Sequence, residues 1–169
     1  MDKIKGIREI AKLSKNLKRH GKKVALITGC FDILHIGHIQ LFRFAKNSAD
    51  ILIVGLENDE TIRRSKGDNR PIHKLRERCD VLSDISSIDY IFKIKKVINF
   101  GTNAADATYA RIAKTIRPDY LVTYAIADKF WRKKKARAQK IGSDLLVFKP
   151  KRRAKTSTTS IIDKLNKED

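Results

Sequence analysis

Gly29-Cys30-Phe31-Asp32-Ile33-Leu34-His35-Ile36-Gly37-His38-Ile39 joins a buried strand to a helix and sets two histidines three residues apart at the junction. The preceding Lys23-Val24-Ala25-Leu26-Ile27-Thr28 is an apolar run of strand length, and Ile39 to Lys46, with Leu41, Phe42, Phe44 and Ala45, has the spacing of a helix. Gly29 ends the strand. Residues three apart share a helix face, so His35 and His38 can turn toward one oxyanion where free N–H groups and the helix dipole already favour negative charge. Gly37 lets that anion come close to the backbone. The stretch therefore reads as a phosphate site after the first strand.

Working outward, short apolar runs alternate with helical patterns. Strands are expected near 23–28, 50–55, 89–94, 119–123 and 144–148, and helices near 4–19, 37–47, 74–86, 105–116, 130–140 and 158–166. Such alternation predicts an α/β fold, a Rossmann-like, doubly wound, parallel five-stranded sheet with helices on both faces. In such sheets ligands gather at the carboxyl ends of the strands near the switch in strand order, where the histidine segment falls. Pro118 and Pro150 punctuate the last two strands. At 169 residues one domain is expected, with residues 1–20 as an amphipathic helix (Ile4, Ile7, Ile10, Ala11, Leu13, Leu17) ahead of a catalytic core over 21–165.

Composition narrows the class. Hydrophobic residues make up 41% of the chain, yet no apolar run approaches the roughly 18 residues of a membrane helix, and the start resembles neither a signal nor a transit peptide. No membrane insertion and a cytoplasmic location are expected. Cys30 and Cys79 lack metal-site spacing, fit free thiols, and no carboxylate cluster suggests a protein-held metal. Lys and Arg number 38 against 19 Asp and Glu, a formal net charge of +19. The excess concentrates in Arg132-Lys133-Lys134-Lys135-Ala136-Arg137 and Lys149-Pro150-Lys151-Arg152-Arg153-Ala154-Lys155. Blocks of this kind draw in triphosphates and phosphorylated substrates, lie solvated on a surface, or bind nucleic acid. Nucleic acid is the weaker reading, because aromatic platforms, a helix-turn-helix pattern and zinc knuckles are all absent.

Gly-Cys-Phe-Asp-(x)2-His-x-Gly-His resembles the signature of the cytidylyltransferase-like nucleotidyltransferases, which move a nucleoside monophosphate from an NTP to an acceptor and release pyrophosphate. The likeness continues beyond it. Asp59-Glu60-Thr61-Ile62-Arg63-Arg64-Ser65-Lys66-Gly67-Asp68-Asn69-Arg70-Pro71-Ile72, followed by Glu77-Arg78, is similar to the "D-x-x-V-x-x-x-K-G-x-x-R-P-I … E-R" stretch of heptose-1-phosphate adenylyltransferases. Ser157-Thr158-Thr159-Ser160-Ile161-Ile162 is similar to the S-T-T-x-I-I that opens their last helix. The resemblance runs from about Gly21 to Leu165, and glycerol-3-phosphate cytidylyltransferases share the skeleton. Two segments depart from it. Thr123-Tyr124-Ala125-Ile126-Ala127-Asp128 replaces a glycine-containing "V-K-G-G-D-Y", and Ala154-Lys155-Thr156 stands where a glutamate and glycine precede S-T-T.

The resemblance implies in-line attack by an acceptor phosphate oxygen on the α-phosphorus, which needs positioning and neutralisation more than acid or base. It gives His35 and His38 the α-phosphate and the bridging oxygen, with Lys66 as a third catalytic residue closing over the phosphates. Gly29, Cys30, Phe31 and Gly37 would shape the nucleotide groove. Ser157, Thr158 and Thr159 would hold the β- and γ-phosphates at a helix start or cap that helix, and both can hold at once. Arg70 and Arg78 would meet acceptor or phosphate, and Asp32 would fix the turn by accepting backbone N–H bonds. The base would be read by backbone near 122–128 and 150–156. The implied cofactor is Mg²⁺ carried on NTP phosphates. The implied partners are an NTP, ATP favoured over CTP, a small phosphorylated acceptor such as a sugar 1-phosphate, and a second copy in a homodimer. A CTP-dependent glycerol-3-phosphate enzyme is the alternative within the class. A basic nucleic-acid-binding protein on a degenerate transferase fold is the alternative outside it.

Overall fold

A computed structural model of the chain describes residues 2–125, 128, 130–150 and 158–165. Five strands, β1 (Val24–Gly29), β2 (Ile51–Glu57), β3 (Tyr90–Ile94), β4 (Tyr120–Tyr124) and β5 (Asp144–Phe148), pair in parallel in the order β3-β2-β1-β4-β5. The helices are α1 (Ile7–Arg19), α2 (Ile36–Ser48), α3 (Asp59–Lys66), α4 (Leu75–Ser83), α5 (Asn103–Ile116), α6 (Trp131–Lys140) and α7 (Thr158–Leu165).

Strand alternation divides the core in two. Ala25, Ile27, Leu52, Val54 and Leu56 face α2 and α4, where they meet Leu41, Phe42, Ala45, Cys79 and Leu82. Val24, Leu26, Ile53, Phe92 and Ile94 face the other way, onto Ile10 of α1, Ile112, Ala113 and Ile116 of α5, and Ala138 of α6. With helices on both faces the strands need apolar residues at successive positions, which is why they read as unbroken runs. The strand order reverses between β1 and β4, so the crevice opens beyond their carboxyl ends. Among the described residues no helix is long and apolar enough to cross a membrane.

Two elements differ from the expectation. The first helix begins at Ile7 rather than at residue 4: Ile4 forms a parallel bridge with Ile91 on the sheet's edge, Lys5 N–H donates to Ile91 O, and Ile91 N–H to Lys3 O. Gly6 is extended at the N-cap and its N–H donates to the Glu9 carboxylate, which starts the helix there. An unexpected helix, α3, occupies what reads as loop. Asn58 caps it by accepting from Thr61 N–H, and its side-chain amide donates to the carbonyls of Ile94, Lys95 and Lys96. Lys66 is therefore the last residue of a helix, aimed by it.

Gly55 marks a close approach in the sheet. A Cβ there would lie 2.6 Å from Cζ of buried Phe92 and 3.1 Å from Cγ2 of Thr28. Gly55→Ala is expected to cost about 1–3 kcal/mol by overpacking, read as a lower urea midpoint at unchanged slope.

Candidate active site

β1 ends in Gly29, and the next turn is built around Phe31, whose φ of 45° is in the left-handed region. A conformation costly for a bulky residue persists only where packing enforces it. The Phe31 ring lies over Gly29, where a Cβ would come within 2.9 Å, and meets His38 edge-on at 5.1 Å and Phe42 at 5.0 Å. Gly29 thus admits the ring that backs His38.

His35 is the N-cap of α2, and its Nδ1 accepts from Gly37 N–H at 3.2 Å. That bond fixes the neutral tautomer with the proton on Nε2, the atom left to donate to a ligand. His38 stacks on His35 with ring centroids 3.8 Å apart, and its buried Nδ1 has no partner. Burial, the neighbouring His35 and the Lys66 cation push the His38 pKa down to about 3, and burial and Lys66 lower that of His35. Both rings are therefore neutral near pH 7, and each can donate a hydrogen bond to a phosphate oxygen beside the Lys66 cation.

The two histidines open onto a cavity of about 520 Å³ beyond β1 and β4, within the roughly 300–1,000 Å³ usual for small-molecule sites. The structure brings Gly29, Cys30, Phe31, Asp32, Gly37, Lys66 and Thr158 to the lining of the same cavity. Thr158 is buried and its hydroxyl donates to Ile33 O at 3.1 Å, tying the start of α7 to the histidine turn. Thr159 is exposed, and Ser157 lies outside the described residues, as do 126–127 and 151–156 of the segments expected to read the base. Burial raises the Cys30 thiol to a pKa of about 11, so it is a protonated wall group rather than a nucleophile.

Of the remaining three residues, Asp32 accepts backbone N–H bonds as expected but from another loop, and the two arginines lie off the cavity. Asp32 does not brace its own turn: it accepts from Ile72 N–H, His73 N–H and Arg70 Nε at 3.1, 2.9 and 2.6 Å, joining the 70–73 loop to the histidine turn. Burial works against the Asp32 carboxylate, but these donors outweigh it and hold the pKa below the usual range. Arg70 is spent on that pair, buried behind the wall. Arg78 is 1% exposed and donates to His73 O, Cys30 O, Glu57 O and the Asp59 carboxylate. Neither arginine lines the cavity; both position what does.

The rest of the lining was expected from the sequence only as backbone near 122–128. It carries Glu57, Tyr109, Thr123, Asp128, Lys134 and Arg137. The Thr123 hydroxyl donates to Asp128, which also pairs with Lys134 at 2.6 Å and accepts from Phe130 N–H at 2.9 Å. Burial raises the Asp128 pKa, but Lys134 and these donors bring the net shift downward. Arg137 stands 5.1 Å over the Tyr109 ring and 3.5 Å from Asp106, which also holds Lys133 at 2.6 Å. Half of the first basic block thus forms ion pairs beside the cavity. The signals were present: Thr123 and Asp128 fall in the segment that departs from the glycine-containing motif, and the cations fall in a block read as substrate-drawing, solvated or nucleic-acid-binding.

A neutral histidine pair at the start of a helix, a lysine beside it, and a crevice at the switch point of a parallel sheet define a Rossmann-like nucleotidyltransferase. A family model described as cytidylyltransferase-like matches residues 26–164. The chain belongs to the cytidylyltransferase-like family and is a nucleotidyltransferase. It is 38% identical over 119 residues to "Bifunctional protein HldE" of a Nitratiruptor species, covering 70% of this chain and 24% of that protein. The protein of the same name from Helicobacter pylori (strain J99) is 39% identical over 113 residues, covering 67% and 22%. The chain thus spans about a quarter of the length of these curated relatives. In fold it is similar to the lipopolysaccharide core biosynthesis protein from Thermoplasma volcanium, with a TM-score of 0.60 at 21% identity over 79% of this chain and 100% of that one. It is also similar to pantoate-beta-alanine ligase from Francisella tularensis, with a TM-score of 0.64 at 16% identity over 97% and 76%.

Proposed function

We propose that the chain transfers AMP from ATP to a sugar 1-phosphate resembling heptose 1-phosphate, releasing pyrophosphate and forming an ADP-sugar. The observation that carries this reading is the stacked, neutral His35–His38 pair beside Lys66 on the wall of the 520 Å³ cavity. An acceptor phosphate oxygen forms a bond to the α-phosphorus. The bond from that phosphorus to the α,β-bridging oxygen breaks, and its electron pair leaves on pyrophosphate. His35 Nε2–H and the neutral His38 ring donate to the non-bridging and bridging oxygens as charge builds there, and Lys66 offsets the charge of the leaving group. Thr158 keeps α7 against the histidine turn while the triphosphate is held.

Mg²⁺ supplies further neutralisation when it arrives on the triphosphate. Among the described residues no group of three or more His, Cys, Asp or Glu could hold a metal ion. The basic surface is read as substrate-attracting because part of the first basic block, Lys134 and Arg137, lines the cavity.

The test is pyrophosphate release with Mg²⁺ and ATP or CTP, each crossed with heptose 1-phosphate, other sugar 1-phosphates and glycerol 3-phosphate. Turnover confined to ATP with sugar 1-phosphates is expected. Turnover confined to CTP with glycerol 3-phosphate would move the chain to the cytidylyltransferase alternative, and no turnover without nucleotide binding would overturn the transfer reading.

A further inference from the structure

Glu57 closes β2 one residue beyond the Gly29–Leu56 register pair, next to the histidine turn, and lines the cavity while being 1% exposed. Tyr109, from α5, donates its hydroxyl to Glu57 Oε1 at 2.5 Å. Glu57 Oε2 is buried and has no partner. No cation compensates this carboxyl by direct contact among the described residues. Arg78 bonds to the main-chain carbonyl of Glu57, and Lys134 is spent on Asp128. A buried carboxyl with one oxygen unsatisfied costs the free protein stability and needs a reason.

We propose that Glu57, held by Tyr109, is the specificity-determining residue of the acceptor subsite, with Oε2 accepting a hydrogen bond from a hydroxyl of a polyhydroxylated acceptor. This rests on the transfer reading for the acceptor's phosphate end. On the Glu57 side Asp106 and Asp128 are paired with Lys133, Lys134 and Arg137, so among the described residues no free cation draws a phosphate there, whereas Lys66, which pairs with no carboxylate among them, draws it to the histidines. The acceptor therefore lies with its phosphate toward His35 and His38 and its carbon skeleton toward Glu57. That skeleton meets an alternation of donors and acceptors: the Glu57 carboxyl, the Tyr109 and Thr123 hydroxyls, Asp128, Lys134 and Arg137. A hydroxyl donates and accepts at once, so a polyol suits such a wall. An ammonium only donates, so it cannot accept from the Lys134 and Arg137 donors on the same lining as a hydroxyl can.

Burial raises the Glu57 pKa to about 7, against the opposing pull of the Tyr109 hydrogen bond, Lys134 and Arg78. The groups that face it are Tyr109 from α5, Lys134 and Arg137 from α6, Arg78 from α4 and the Cys30 thiol of the histidine turn. A hydroxyl that donates to Oε2 favours the ionised form. Acceptor binding should therefore tighten from pH 6 to 8 by more in the wild type than in Glu57→Gln, a comparison that cancels titration of the acceptor's own phosphate.

The experiment is calorimetric titration of the full chain and its Glu57→Leu and Glu57→Gln variants. The probes are heptose 1-phosphate, glucose 1-phosphate, phosphoethanolamine, inorganic phosphate and ATP, with pyrophosphate release measured on the same samples. In the wild type a sugar phosphate should bind more tightly than inorganic phosphate and phosphoethanolamine. Glu57→Leu should lose about 10–100-fold of sugar-phosphate affinity, the worth of one hydrogen bond to a charged group, and fall to the level of inorganic phosphate. Its ATP affinity should be unchanged, and its urea midpoint equal to or above that of the wild type, which a merely structural Glu57 would not give. Glu57→Gln, of the same shape, should lose less and removes doubt over folding. Phosphoethanolamine as the tightest probe, sugar phosphates no tighter than inorganic phosphate, or equal sugar-phosphate binding by wild type and Glu57→Leu would each overturn the inference. Absence of pyrophosphate release with every nucleotide and acceptor would overturn the transfer reading alone, since the binding comparison still decides the role of Glu57.

Discussion

His38→Ala is expected to lower turnover by about 10²–10³, equivalent to roughly 3–4 kcal/mol of lost transition-state stabilisation, with little change in nucleotide affinity. The ring is a preorganised donor: it is held by stacking on His35 at 3.8 Å and by the edge of Phe31 at 5.1 Å, so no reorganisation is needed as charge builds. Its neutrality matters. A lysine at this position would put a cation where burial and Lys66 already push the imidazole pKa to about 3, so His38→Lys should not restore activity. The same shift gives a second, independent readout. A histidine held neutral in the fold is protonated first in the unfolded chain. Its contribution is complete above about pH 6.5 and is lost as pH falls toward 3. Wild-type stability should therefore fall across that window more steeply than that of His38→Ala. Equal turnover in the two proteins would remove His38 from the chemistry, and equal acid sensitivity would show that the ring is not held neutral.

The sheet was legible because each strand is covered on both faces and reads as an apolar run, and the histidine turn because its chemistry is local in the chain. What escaped was short or distant. α3 buries only Thr61 and Ile62, too few apolar positions for a helical period to stand out among Asp59, Glu60, Arg63, Arg64 and Lys66. Ile4 has helical spacing with Ile7 and Ile10, yet the Gly6 cap and the free edge of β3 take it into a bridge. Glu57 finds its partner Tyr109 fifty-two residues away, a pairing that only the closed sheet creates. Arg70 and Arg78 sit in a motif as cations among polar residues, which suggests contact with phosphate. Their burial comes from the carboxylate and carbonyls that surround them, and no local pattern carries that information.

Arg78→Met should be the most damaging single change to the fold, at about 3–5 kcal/mol, because it strips a charged donor from three main-chain carbonyls and from the Asp59 carboxylate at once. One guanidinium gathers three separate parts of the site: Nη1 holds Cys30 O at 2.7 Å, Nη2 holds Glu57 O at 2.8 Å, and Nε holds His73 O at 3.0 Å. These carbonyls belong to the histidine turn, the end of β2 and the loop locked by the Asp32–Arg70 pair. The fourth bond, to Asp59 at 2.8 Å, is to a carboxylate that is 37% exposed and can turn to water, so most of the cost falls on the carbonyls. Lysine keeps the charge but offers one rotating ammonium in place of a planar fork, and cannot reach all three. Arg78→Lys should recover less than half of the loss. Urea unfolding of wild type, Arg78→Lys and Arg78→Met in that order of stability is the expected result, with ATP affinity falling alongside as the turn that carries His35 and His38 loosens. If Arg78→Met proved as stable as the wild type while losing acceptor binding, the arginine would be a ligand of the acceptor and the walls would be held by something else.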